Sequence, residues 1–118
     1  PGVHLEMVAD STTAVQAVLH ASFGEDVGIT SGDQYWFTVD RETHRMTAWA
    51  YHLQGYDEEQ PPSRFRWTNY QEYETPSGPV WMAPRKQSIG GGTAILTDSI
   101  GTPASAPENI FSDPSPRL

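Results

Sequence analysis

Polar and apolar residues alternate with a period of two along most of this chain, and no sustained 3.6-residue repeat competes with it. Successive side chains of a strand point to opposite faces, so this rhythm describes half-buried strands. Val3, Leu5 and Met7 alternate with His4, Glu6 and Val8. Val15, Ala17, Leu19, Ala21 and Phe23 alternate with Gln16, Val18, His20 and Ser22. The second run also holds Ala, Gln and Leu, which favour helices. Its clean alternation and the Thr12-Thr13 lead-in favour a strand.

Tyr35-Trp36-Phe37-Thr38-Val39 combines aromatic and β-branched residues, the composition of a strand. Asp40 to His44 is a polar connection of hairpin length, and Arg45 to Leu53 is the returning strand. On it Thr47, Trp49, Tyr51 and Leu53 share one face, and Met46, Ala48, Ala50 and His52 the other. Arg64 to Tyr73 reads as the next strand, with Phe65 and Trp67 opposite Arg64, Arg66, Thr68 and Tyr70. A strand opens at Val80-Trp81-Met82 and runs towards Gln87-Ser88-Ile89, and Thr93 to Ile100 is the last. The stretches between carry the Gly, Pro and acidic residues of turns, including the tip Gly90-Gly91-Gly92. The expectation is a mainly β fold, an antiparallel meander of about seven strands with little or no helix. It forms a single domain over residues 1–111, followed by a polar, proline-containing tail at 112–118.

The 118-residue chain has Lys+Arg 7 against Asp+Glu 15, a formal net charge of −8. With no basic stripe to meet phosphates, neither nucleic acid nor an anionic membrane surface is an expected partner. Cysteine is absent, which excludes disulfide scaffolds, thiol catalysis and cysteine-type zinc sites. No apolar run approaches the ~20 residues of a membrane-spanning helix, so no transmembrane segment is expected. These residues hold no charged stretch followed by an apolar one that would read as a signal peptide.

Motifs that carry chemistry are sparse. Gly90-Gly91-Gly92 lacks the Lys-Ser/Thr and the strand-to-helix context of a phosphate loop. His4, His20, His44 and His52 show no zinc spacing, although His20 and His52 can meet across strands and recruit a carboxylate. Glu25, Asp26, Asp33, Asp57, Glu58 and Glu59 lie in loops, where solvated acids aid solubility. No serine sits in a Gly-x-Ser-x-Gly elbow. No catalytic residue, metal ligand or cofactor is assigned.

The aromatics are the informative set. Tyr35, Phe37 and Val39 form one face, and Trp49, Tyr51, Leu53, Phe65 and Trp67 stand beside them when the register agrees. Trp36 and Tyr70 lie opposite. This set reads in three ways: an ordinary sheet core, an apolar surface that accepts a lipid-like ligand, or a platform of exposed rings for sugars. The expected function is non-enzymatic binding of a lipid or other apolar small molecule, lined by Phe37, Val39, Trp49, Tyr51, Phe65 and Trp67. One alternative is a structural or interaction domain completed by a partner chain, or by homodimerisation through open sheet edges. The other is a carbohydrate-active or metal-dependent enzyme built on His20, His52 and the loop acids.

The order of motifs resembles that of the bacterial lipoprotein-carrier (LolA/LolB-like) superfamily. Tyr35 to Met46 looks like its strand, Asp-x-x-Thr, strand hairpin, and Phe65-Arg66-Trp67-Thr68-Asn69-Tyr70 is similar to its following strand. The Gly78-Pro79 turn, a strand pair, and then Glu108-Asn109-Ile110-Phe111-Ser112-Asp113-Pro114 resemble its usual finish. The resemblance spans about Thr13 to Pro114 and corresponds to the C-terminal part of a larger domain. It implies a strongly curved half-barrel sheet with an apolar concave face that carries acyl chains, in a periplasmic or cell-envelope protein of a bacterium.

Overall fold

The computed structural model describes residues 2–105. They form an almost purely β structure with one 3-10 turn, Ala9–Ser11. The strands are β1 (Val3–Met7), β2 (Gln16–Phe23), β3 (Gln34–Asp40), β4 (Met46–His52), β5 (Ser63–Thr68), β6 (Gln71–Thr75), β7 (Gly78–Met82), β8 (Arg85–Ser88) and β9 (Ala94–Leu96). Seven of them make one antiparallel sheet in the order β1-β2-β3-β4-β5-β8-β9, and β6 and β7 make a separate two-stranded hairpin. Among the described residues the sheet is open, with β1 and β9 at its edges. The expected antiparallel meander is therefore present. No helix among the described residues is long and apolar enough to cross a membrane. The Glu108–Pro114 motif and the 112–118 tail lie outside the described residues.

Three local readings are corrected. The run from Arg64 to Tyr73 is two strands, because Asn69 takes a left-handed conformation at φ 62 and turns the chain out of the sheet. Asn is one of the few residues that adopts that region readily. The run from Val80 to Ile89 is also two strands, broken at Ala83-Pro84, where proline lacks the N–H a ladder needs. Ala83 is buried at this junction. The last strand contracts to Ala94–Leu96. In addition, Thr38 pairs with Ala48 while Val39 pairs with Met46, so Thr47 is the extra residue of a bulge. The alternation that groups Thr47 with Trp49 breaks there.

The hairpin between β3 and β4 is built by its first residue. Asp40 Oδ1 accepts hydrogen bonds from the Glu42 N–H (3.0 Å), the Thr43 N–H (2.7 Å) and the Thr43 hydroxyl (2.9 Å). These donors hold its carboxyl below the usual carboxylate range, the Thr43 N–H most of all. His44 then takes φ 57 to return the chain, and its N–H donates to the Asp40 carbonyl at 2.9 Å. The Asp-x-x-Thr spacing is thus a turn device.

Asp33 does similar work between two loops. Its Oδ1 accepts from the Gln54 N–H at 2.7 Å, and its Oδ2 accepts from the hydroxyls of Thr30 (2.8 Å) and Tyr35 (3.1 Å). The Gln54 N–H, followed by Thr30, holds its carboxyl below the usual range against the opposing effect of burial. On the other side of the same bond, burial and the neighbouring carboxylate push the Tyr35 phenol up.

Candidate functional site

The register places the aromatic residues row by row. Tyr35 pairs with Tyr51, and Phe37 with Trp49, which in turn pairs with Phe65. Trp67 follows two residues after Phe65, opposite Lys86. Cross-strand partners share a face, so these rings form one layer. Val39 belongs to the same face through its partner Ala17, two residues from the Leu19–Phe37 pair. All six residues expected to line the site, Phe37, Val39, Trp49, Tyr51, Phe65 and Trp67, are brought together on one side of the sheet.

Trp49 is the hub of the layer. Its ring centroid lies 6.3 Å from Tyr35, 5.4 Å from Tyr51, 6.4 Å from Phe65 and 6.2 Å from Trp67. Tyr51 stacks on Phe65 at 6.1 Å and Tyr35 on Phe37 at 6.4 Å. These separations fall within the range in which ring quadrupoles attract. Phe23 extends the layer towards β1 by an edge contact with Tyr35 at 6.0 Å. The Lys86 ammonium sits over Trp67 at 4.8 Å and closes the other end. Neither Phe23 nor Lys86 was picked out as a site residue from the sequence. Phe23 is detectable from the alternation of β2, whereas Lys86 depends on the β5–β8 pairing across the inserted hairpin.

Phe65 is the one ring of this layer that is buried; the others remain half-buried. The side chains of Val3, Leu5 and Met7, in register with the layer through β2, are exposed at one edge, and Ile95 is exposed at the other. The indole N–H groups of Trp49 and Trp67 are shielded from solvent and have no hydrogen-bond partner among the described residues. A buried donor without an acceptor costs about 1–3 kcal/mol.

The opposite face has a different composition. Its rows run Glu6, His20, Trp36, Ala50, Arg64 and then Val18, Thr38, Ala48, Arg66, Gln87. Ala48 and Ala50 are small residues between larger neighbours, and they leave a trough. The resulting open groove of ≈ 790 Å³ is lined by Val18, Trp36, Ala48, Ala50, Arg64 and Arg66, and Trp49 and Trp67 of the ring layer also border it. The sequence signal was present in the Ala48/Ala50 and Arg64/Arg66 alternations, but the groove appears only once the rows are in register. His20 stacks on Trp36 at 4.9 Å, with Nδ1 3.1 Å from Glu6 Oε1 and Nε2 3.0 Å from Gln34 Oε1.

His20 and His52 share this face, but Gln34 stands between them, paired with His52 and bonded to His20. His52 instead donates from Nε2 to the Asp57 carbonyl at 3.1 Å. Asp33 and Asp57 are turn acceptors, Asp57 for the Glu59 N–H at 3.1 Å. Among the described residues no group of three or more His, Asp or Glu could hold a metal ion. The histidines and loop acids are thus not brought into one constellation.

A scan of the chain against protein-family models, and searches of curated proteins and of solved structures, find no match.

Proposed function

We propose that this chain is a non-enzymatic binding domain whose aromatic layer takes a lipid or another apolar ligand. The observation that carries this reading is the state of the layer. Five of its six lining residues stay half-exposed, and two indole donors have no acceptor among the described residues. A sheet face that serves only as core is normally covered by a second layer and satisfies its indole N–H groups. Among the described residues the only other sheet is the two-stranded β6–β7 hairpin. An acyl chain laid along Phe37, Trp49, Phe65 and Trp67 removes apolar area from water, at ~25 cal/mol per Å² before the cost of immobilising it. The resemblance to lipoprotein carriers supports the same ligand class, and with it a periplasmic or cell-envelope location.

The groove on the opposite face favours a second reading. Its volume is that of a small-molecule site, and Arg64 and Arg66 make no ion pair among the described residues. Two arginines that line the same groove as Trp36, across Ala48 and Ala50 from it, suit an anionic ligand with a planar or apolar body.

Tryptophan emission separates the two readings. The double variant Trp36→Phe, Trp81→Phe retains Trp49 and Trp67 as reporters. A brominated long-chain fatty acid is expected to quench it saturably. Absence of saturable quenching in the folded variant overturns the aromatic-layer reading. Because Trp49 and Trp67 also border the groove, Arg64→Gln with Arg66→Gln is the second arm: quenching unchanged by it supports the aromatic layer, and quenching lost with it assigns binding to the groove.

A further inference from the structure

We propose that β1 is a self-complementary edge through which two copies of this chain pair antiparallel about a two-fold axis at Leu5. The inference does not depend on what the aromatic layer binds.

The hydrogen-bonding groups give the first argument. Gly24 N–H donates to the Gly2 carbonyl at 2.8 Å, and Val8 N–H donates to the Val18 carbonyl at 2.8 Å. The β1–β2 register is uniform between these two bonds. Adjacent residues of a strand point their N–H and C=O in opposite directions, so the even-numbered residues bond to β2. The N–H and C=O groups of Val3, Leu5 and Met7 therefore point outward from the sheet. No strand covers them among the described residues.

The side chains give the second. With Leu5 opposite Leu5 of a second copy, Val3 falls opposite Met7 and His4 opposite Glu6. The outward-pointing residues become the hydrogen-bonded pairs, giving about six backbone bonds in all. His4 and Glu6 become the closer, non-bonded pairs, on the face away from the rings. An imidazole thus faces a carboxylate twice across the two-fold axis, and no like charges meet there. Val3, Leu5 and Met7 are 52%, 64% and 57% exposed in the single chain. In the pair they meet one another and continue the apolar layer from one copy to the next.

The third argument is the absence of protection. Sheet edges are usually blunted by proline, lysine, a bulge or short length. The opposite edge, β9, has three residues. β1 has five, with a regular register and neither proline nor lysine.

Sedimentation velocity over a dilution series, combined with amide hydrogen exchange, tests the proposal. The chain is expected to show a concentration-dependent monomer–dimer equilibrium. Amides of Val3, Leu5 and Met7 should gain protection only as dimer forms, while those of His4 and Glu6 are protected throughout. Leu5→Lys sets two ammonium groups against each other at the axis and should abolish the dimer; circular dichroism checks that its sheet is intact. His4→Glu should weaken pairing about tenfold, by facing Glu6 with like charge, whereas His4→Lys should preserve it. A chain that stays monomeric at all concentrations overturns the proposal. So does a dimer that survives Leu5→Lys, or one in which the Leu5 amide exchanges as in the monomer.

Discussion

Trp49 and Trp67 meet edge to face, with ring centroids 6.2 Å apart and an interplanar angle of 75°, and neither indole N–H finds an acceptor among the described residues. The contact joins the middle of β4 to the end of β5. It combines a large favourable burial with an uncompensated polar group at the same spot.

That combination separates two substitutions at Trp49. Trp49→Ala removes the hub of the layer and is expected to destabilise by about 3–5 kcal/mol. Trp49→Phe keeps most of the ring contact and deletes the orphan donor. Relief of the unsatisfied N–H offsets much of the lost area, so the expected cost is under about 1.5 kcal/mol. Urea unfolding of both variants measures the difference. Equal destabilisation would show that the indole N–H carries no penalty.

The β3–β4 turn offers a stabilising change. His44 stands at φ 57, a region that costs an L-residue about 1–2 kcal/mol and glycine almost nothing. Glycine also loosens the unfolded chain, which returns part of the gain. His44→Gly is therefore expected to raise stability by ~0.5 kcal/mol, read as a shift of the urea midpoint at unchanged slope.

Acid should weaken the fold through two aspartates. The folded carboxyls of Asp33 and Asp40 titrate below their ordinary value because the Gln54 N–H and the Thr43 N–H, respectively, lead the donors to the charged form. A depressed folded value means stability that is fully present above the ordinary aspartate range. It is lost as pH falls through the folded value. Thermal melts between neutral and strongly acidic pH should stay level down to about pH 4–5 and then decline. Asp33→Asn and Asp40→Asn should each flatten that decline.

The β6–β7 hairpin is held by a cation. The Arg45 guanidinium lies over Trp81 at 4.1 Å and over Tyr70 at 5.5 Å, and the Tyr70 hydroxyl donates to the Met46 carbonyl. Burial raises the phenol of Tyr70 against the opposing pull of Arg45, so it remains the neutral donor at neutral pH. Arg45→Ala should cost about 0.5–1 kcal/mol. Its sharper signature is faster amide exchange across Gln71–Met82 with the main-sheet amides unchanged. Uniform acceleration across all strands would contradict this anchoring role.

How much of this was legible in the sequence varies with the distance over which the physics acts. The alternation in β1 to β5 and the gathering of Phe37, Trp49, Phe65 and Trp67 on one face follow from period two, which the backbone enforces locally. The excursion at Asn69 and the break at Ala83-Pro84 were not legible, because Gln71–Thr75 alternates as well as any strand of the main sheet. What decides its place is that Arg66 pairs with Gln87, a contact that spans the whole hairpin. The bulge at Thr47 was hidden for a different reason. Thr38, Thr47 and Ala48 are small or amphipathic and fit either face, so composition could not mark the slip. The groove floored by Ala48 and Ala50 depends on that same register.

Because β5 pairs directly with β8, the twelve-residue excursion Gln71–Met82 contributes no rung to the main ladder. Its tip, Pro76-Ser77 before Gly78 at φ 111, is an exposed two-residue loop between half-buried Thr75 and Gly78. That makes it a natural docking point for grafted sequence. A tag, a spectroscopic probe or a recognition epitope can be spliced there while the ladder beneath keeps its pairing, so the appendage can diversify at a pace the sheet itself would not tolerate.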